Sequence, residues 1–257
     1  MIHRLRITDP ANCVCPWWKT IPGFKRKKTI EFAPDLNVLA GANGSGKSTI
    51  LSVIAKLLCC EAGDVQLIGQ STSQDLYEER NRNKKLLLGV HPEHDGSPIM
   101  HYAAGKAVGL MGGSFDYDFM VEGVRNAMAH VSSGQLDLSR MGTVIKAARS
   151  GQWPEIQWKI QKDFAKDLEV FLQGDGTRIR PTLLLDEPSR SLDLRMEIRL
   201  FEVIQEIARS GVQVIVATHS LLAFRLDGVH CIDTTKDYSE AVRQDLAGIG
   251  LGKPPAG

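Results

Sequence analysis

"GANGSGKST", Gly41 to Thr49, is the stretch on which the fold turns. It satisfies GxxxxGK[ST] at every position, a pattern whose chance occurrence in a chain of this length is on the order of one in a hundred. Glycines permit backbone angles that side chains forbid, so successive N–H groups can turn inward around a phosphate. The apolar run "LNVLA" precedes the loop, and "KSTILSVIAKLLCC" follows it with apolar residues at helical spacing. Strand, glycine loop and helix N-terminus in that order make an anion cradle. Asn43, Gly44, Ser45, Gly46, Lys47, Ser48 and Thr49 line it, with Lys47 reaching the outer phosphates and the Ser48 hydroxyl placed to ligate Mg²⁺. A glycine turn with a stray lysine is the plain alternative, and the flanking strand and helix argue against it.

Outward from the loop, the pattern is that of a parallel α/β sheet. "IHRLRIT" alternates like a half-exposed strand, and "TIEFAPDLNVLAG" reads as two strands joined at Pro34-Asp35. "KKLLLGV" is strand-like and "HPEHDGSP" after it reads as a loop. "GGSFDYDFMVEGVRNAMAH" carries helical character towards its end, and helices are expected around Leu136–Ala148 and Glu155–Leu172. "PTLLLDEP" and "VQVIVATHS" are short apolar runs of the kind that form buried parallel strands. Between them "LDLRMEIRLFEVIQEIARSG" is a helix closed by Gly211. The end, "GIGLGKPPAG", reads as a mobile tail.

Two places beyond the loop carry candidate chemistry. Asp186 and Glu187 end "TLLLDEP". An aspartate there can hold Mg²⁺, and a second carboxylate beside it can act on a water as general base. Many buried strands simply end in an acid; the phosphate loop upstream favours the functional reading. His219 follows "VQVIVAT", where it is either a packed or capping residue or a contact to a terminal phosphate.

Composition sets the outer limits. With 257 residues, 43% apolar and 24% charged, the chain is an ordinary globular one, large enough for a single sizeable domain. A net charge of +1 gives no general attraction to nucleic acid. The local run Lys25-Arg26-Lys27-Lys28 reads as a solvated surface, with phosphate contact as the alternative. "MIHRLRITDP" lacks the apolar region of a signal peptide and no stretch has the length of a membrane span, so a cytoplasmic protein is expected. Cys13, Cys15, Cys59, Cys60 and Cys231 have no common zinc spacing and read as reduced thiols. A metal site joining Cys13 and Cys15 to a distant ligand is the alternative.

With these motifs in order, the chain resembles the ATP-binding cassette (ABC) ATPases. Walker A is "GANGSGKST", the signature "VSSGQ", Walker B "TLLLDEP", the D-loop "SRSLD" and the switch "ATHS". The resemblance implies an α/β P-loop NTPase with a two-lobed head. The core lobe would hold residues about 1–90 and 180–245, a helical lobe about 91–179, and a tail about 246–257. It implies ATP and Mg²⁺ as cofactors, with Lys47, Glu187 and His219 catalytic and Ser48 and Asp186 on the metal. It also implies a homodimer closed by ATP, in which Ser132, Ser133, Gly134 and Gln135 cap the nucleotide of the partner and Ser191 and Asp193 couple the two sites. "SSGQ" departs from the usual SGGQ at Ser133.

Within the family, "TIEFAPDLNVLAGANGSGKST" looks like the SMC, RecF and OLD-type (AAA_21-type) branch. The segment from signature to Walker B is much longer than in transporter cassettes. No coiled-coil arms or Toprim-like extension are visible. After "KKLLLGV" the family's Q-loop glutamine is missing, and His91 is the candidate replacement. A zinc site of His91, His94 and His101, or a plain loop, are the other readings. Trp17 and Trp18 are placed either to stack on adenine or to meet a partner. The expectation is a stand-alone ATPase that gates an effector protein, such as a nuclease or toxin, or a DNA transaction in defence or DNA repair. The alternative is the nucleotide-binding subunit of an ABC transporter.

Overall fold

The computed structural model describes residues 1–8, 29–58, 89–95, 97, 99–104, 145, 180–190 and 192–250. Ser132 to Gln135, Ser191, Trp17, Trp18, Lys25 to Lys28, four of the cysteines, the helix expected at Glu155–Leu172 and all of the one expected around Leu136–Ala148 except Ile145, which is helical, lie outside the described residues.

Five strands form a parallel sheet in the order β5-β6-β7-β3-β8: β3 (Leu36–Ala40), β5 (Ile99–Ala103), β6 (Thr182–Asp186), β7 (Gln213–Ala217) and β8 (His230–Asp233). Side chains alternate across it as strand geometry demands. Leu39, Leu184 and Ile215 face one way, onto Ile50, Leu51 and Ile54 of α1 (Lys47–Leu57). Val38, Leu183, Leu185, Val214 and Val216 face the other, onto Leu200, Phe201, Ile204 and Ile207 of α2 (Leu194–Arg209). A helix on each face buries both sides, which is why these strands read as nearly unbroken apolar runs. The expected α/β architecture is present.

On the α1 side lies a three-stranded antiparallel sheet, β2-β1-β4, made of β2 (Thr29–Glu31), β1 (Ile2–Ile7) and β4 (Val90–His94). Its apolar face, Ile2, Leu5, Ile7, Ile30 and Val90, joins the core around α1. Gln213 fastens it to the parallel sheet. Its amide oxygen accepts from the Ile2 N–H and the Thr182 hydroxyl, both at 2.8 Å, and its amide nitrogen donates to the carbonyls of Ile2 at 2.7 Å and Ala33 at 2.8 Å. All four hydrogen-bonding positions of a buried amide are filled.

Several expectations need correction. "HPEH" is strand rather than loop, because the Glu93 carboxylate lies between Arg4, to which it is hydrogen-bonded, and Arg6 at 3.6 Å. Pro92 is tolerated because β4 is an edge strand. Ile99 to Ala103, unassigned in the sequence, pairs with β6 in the core sheet, so the core lobe does not end near residue 90. At the other end α3 (Tyr238–Gly248) carries the helix past the expected start of the tail at 246.

Candidate active site

All five parallel strands end at one edge, and loops leaving those ends share a crevice. Register places Ala103 beside Asp186, Asp186 and Leu39 beside Ala217, and Ala40 beside Asp233. The phosphate loop leaves β3, the acid pair leaves β6, and Thr218-His219 leaves β7.

The loop turns on Gly44 and Gly46, whose φ angles of 74° and 101° lie in the left-handed region open to glycine. Gly46 caps α1 with no side-chain bond, so the helix begins directly at Lys47. Lys47 is buried, and its ammonium donates to the carbonyls of Gly41 at 2.8 Å and Ala42 at 3.3 Å. Burial lowers its pKa, while the Glu187 and Asp186 carboxylates act against that shift. Asn43 and Gly44 are exposed at the loop tip, and Ser48 and Thr49 are half-buried on the first turn of α1.

Adjacent strand residues face opposite sides, so Asp186 and Glu187 reach one site only if the chain departs from strand geometry between them. It does so at Glu187, which has φ 48°, a left-handed value that a glutamate rarely adopts. Its N–H is anchored on the Ala217 carbonyl at 2.8 Å. The Glu187 side chain thereby swings to His219, accepting from the His219 N–H at 3.4 Å and lying 3.5 Å from Nε2. That same Nε2 is 3.2 Å from the Lys47 ammonium. Lys47, His219 and Glu187 thus converge from three strand ends, with Nε2 placed either to accept from Lys47 or to donate to Glu187. Burial raises the pKa of Glu187, and the neighbouring His219 opposes the rise.

Asp186 is 5% exposed, and its Oδ1 is buried with no hydrogen-bond partner among the described residues. A buried carboxylate oxygen without a donor is costly unless it has a cation to bind. With the Ser48 hydroxyl on the first turn of α1, this donor set suits a hard, oxygen-seeking ion such as Mg²⁺.

His91 does not take part in this cluster. It sits on β4 opposite Arg6, with its ring 3.2 Å from the Thr8 hydroxyl. The strand running beside β6 is β5, and the chain leaves it at Ala104, whose N–H donates to the Asp186 carbonyl at 3.0 Å. The chain beyond Ala104 lies outside the described residues up to Ile145. Among the described residues no group of three His, Cys, Asp or Glu could hold a metal, which removes the zinc reading of His91, His94 and His101. Asp193 caps α2, accepting from the Met196 N–H at 3.0 Å.

Two residues at this edge were not singled out in the sequence. Thr234 and Thr235, just past β8, bond to the phosphate loop from behind. The available signal was weak, a Thr-Thr pair after the short run "HCID".

Comparison with known proteins agrees with this geometry. The family model described as "ABC transporter" matches residues 33–137. The model described as "AAA domain, putative AbiEii toxin, Type IV TA system" matches residues 122–225. The chain is 28% identical over 189 residues to the vitamin B12 import ATP-binding protein BtuD of Vibrio atlanticus, covering 70% of this chain and 67% of that one. It is 27% identical to the arabinose import ATP-binding protein AraG of Mannheimia succiniciproducens, over 91% of this chain and 46% of the relative. With the macrolide export ATP-binding/permease protein MacB of Rhodopseudomonas palustris it shares 26% identity over 72% of this chain and 26% of the relative. It thus spans about half of AraG and about a quarter of MacB. Among solved structures, the ADP conformation of MJ1267, an ATP-binding cassette of an ABC transporter, aligns over 87% of this chain and 89% of that chain, with 12% identity and a TM-score of 0.35. The phosphate loop lies inside one matched segment and the acid strand inside the other, and the two matches overlap between them: the chain is an ATPase, similar over most of its length to the ATP-binding domains of ABC proteins.

Proposed function

We propose that this domain is the energy-supplying unit of a larger assembly, hydrolysing MgATP at the strand-end crevice and passing the resulting movement to a partner. The observation that carries the site assignment is the convergence of Lys47, His219 and Glu187 on one crevice, with the buried Asp186 Oδ1, donorless among the described residues, beside them. In this reading Asn43 to Thr49 cradle the phosphates and Lys47 exchanges its carbonyl partners for phosphate oxygens. Ser48 and Asp186 would hold Mg²⁺, which when bound neutralises charge on the outer phosphates. Glu187 orients and deprotonates the attacking water, and its raised pKa suits a general base. His219 donates to the γ-phosphate. Ser132 to Gln135 of a second copy complete the site, and Ser191 and Asp193 link the two centres.

A membrane permease is the partner class that the relatives support, since BtuD and AraG are named import ATP-binding proteins and MacB an export ATP-binding/permease protein. Among the described residues no helix is long and apolar enough to cross a membrane, so the spanning part would come from the partner. A second reading, a unit gating a nuclease or toxin or acting on DNA, is favoured by the match of residues 122–225 to the AAA model. Turnover and equilibrium nucleotide binding test the site itself. Lys47→Ala should lose ATP binding, and Glu187→Gln should bind ATP but turn it over at least about a hundredfold more slowly. Wild-type turnover in both variants would remove the assignment. Affinity purification from native cells then separates the partner classes: a detergent-extracted membrane protein supports the first, a soluble protein or bound DNA the second.

A further inference from the structure

We propose that Thr234 and Thr235 form a clasp behind the phosphate loop and are positioning residues for ATP binding. The inference rests on the site assignment above and extends it to two residues on an element remote in sequence.

Thr234 is 2% exposed, and its hydroxyl has two partners: the Ala40 carbonyl at 3.0 Å and the Ser45 hydroxyl at 2.6 Å. A hydroxyl has one proton to give. With that proton on the Ala40 carbonyl, Thr234 accepts from Ser45, and the donors run in one direction, Ser45 to Thr234 to Ala40. The Thr234 N–H also donates to the Ala40 carbonyl at 2.7 Å, so a single carbonyl at the end of β3 anchors the clasp twice. Thr235 adds the next bond along, its hydroxyl accepting from the Ala42 N–H at 3.1 Å. The loop is therefore tied at residues 40, 42 and 45, on both sides of the carbonyls of Gly41 and Ala42 that hold Lys47.

The fit leaves no slack. A Cβ on Gly41 would lie 2.0 Å from the Thr234 hydroxyl, 2.6 Å from that of Ser45 and 3.1 Å from that of Thr235. Gly41 is thus required by the clasp as much as by the pattern. The base is firm as well: Asp233, between Thr234 and β8's interior, accepts from the N–H and the hydroxyl of Ser239, both at 3.0 Å, tying the clasp to the start of α3. A loop fixed from behind loses less entropy when phosphate binds, so the clasp acts on affinity for ATP before it acts on chemistry.

Serine and alanine at Thr234 both lack the methyl group and differ by the hydroxyl alone, so this pair isolates the clasp. The measurement is steady-state ATP turnover of the full chain with Lys47→Ala as control. Thr234→Ala should raise KM for ATP about tenfold while kcat stays within about threefold, the size expected for one lost buried hydrogen-bond chain. Thr234→Ser should restore KM to near the wild-type value, and Thr235→Ala, at a half-buried position, should raise it by a few-fold. A purely structural role would shrink the active fraction, lowering kcat and leaving KM alone; that result overturns the clasp. So does Thr234→Ser behaving like Thr234→Ala, or an unchanged KM in both alanine variants. Turnover in Lys47→Ala equal to wild type would instead bring down the site assignment, and the clasp with it.

Discussion

Glu187 combines an unfavourable backbone with an unfavourable charge: its φ of 48° is left-handed, and burial raises its carboxyl pKa above the ordinary 4.5. Such strain costs on the order of 1–3 kcal/mol and persists only where the surroundings hold it, here through the bond from its N–H to Ala217. The charge has a consequence for stability. Between 4.5 and the raised folded value, the folded state holds a proton that the unfolded state has released. Stability therefore falls as pH rises through that window, and above it the ionised carboxylate weighs against the fold in full. Glutamine at this position keeps the shape without the charge. Glu187→Gln should accordingly melt at a higher temperature than wild type at neutral pH, and the gap should close as pH falls to 4.5. Thermal melts across that range decide it, and a gap independent of pH would refute the linkage. Turnover moves the opposite way, increasing with pH as the base ionises.

Elements differ in how openly the sequence announces them, and the difference has physical causes. The strands β3, β6 and β7 and the helix α2 were legible because nearly every position obeys one period and one environment. Asp193 starts α2 and Gly211, at φ 95°, follows its end. β5 was not legible, since His101 sits buried in the middle of a run that otherwise belongs to a core strand. β8 is an edge strand whose first residue is exposed, and α3 begins after a left-handed Asp237, so neither shows a clean pattern. Lys47 was readable from the spacing of the phosphate loop, and Asp186, Glu187 and His219 because each lies at or just past the end of an apolar strand. Thr234 was not, because nothing in local spacing links it to Ser45, 189 positions away. Gln213 is hidden for the same reason, and its loss should be severe. Gln213→Leu strips partners from Ile2, Ala33 and Thr182, and with about 1–3 kcal/mol for each buried group left unpaired, unfolding in urea should show a loss of at least about 3 kcal/mol. A loss below about 1 kcal/mol would mean that the antiparallel sheet is not fastened there. At α2, the cap and the proposed coupling role of Asp193 can be separated. Asparagine caps a helix as well as aspartate does, whereas alanine costs about 1 kcal/mol. Stability should thus fall in Asp193→Ala only, and turnover in both if the carboxylate couples the two sites.

At the scale of the whole molecule, several large apolar side chains among the described residues stay exposed near the elements that carry the crevice. Leu194, Met196 and Ile198, on the first turns of α2 directly after Asp193, are 65%, 45% and 43% exposed, and Leu221, two residues past His219, is 50% exposed. Leu194 and Ile198, four positions apart, share one side of α2, so two apolar side chains lie together just after Asp193. A second copy related by two-fold symmetry would cover such a surface on both subunits at once. If each centre takes its cradle from one copy and its signature from the other, two differently damaged copies can repair each other. Lys47→Ala destroys the cradle. On the proposed reading, Ser132→Asp would set a negative charge against the γ-phosphate of the partner's nucleotide. Each variant alone should be inactive. In a mixed dimer, one centre combines both lesions, while the other joins the intact cradle of the Ser132→Asp copy to the intact signature of the Lys47→Ala copy. Random pairing of equal amounts makes half the dimers mixed, each with one working centre, so the mixture should recover about a quarter of wild-type turnover if the centres act independently. Activity no greater than that of the separate variants, under conditions where subunits exchange, would show that the two motifs do not meet across an interface.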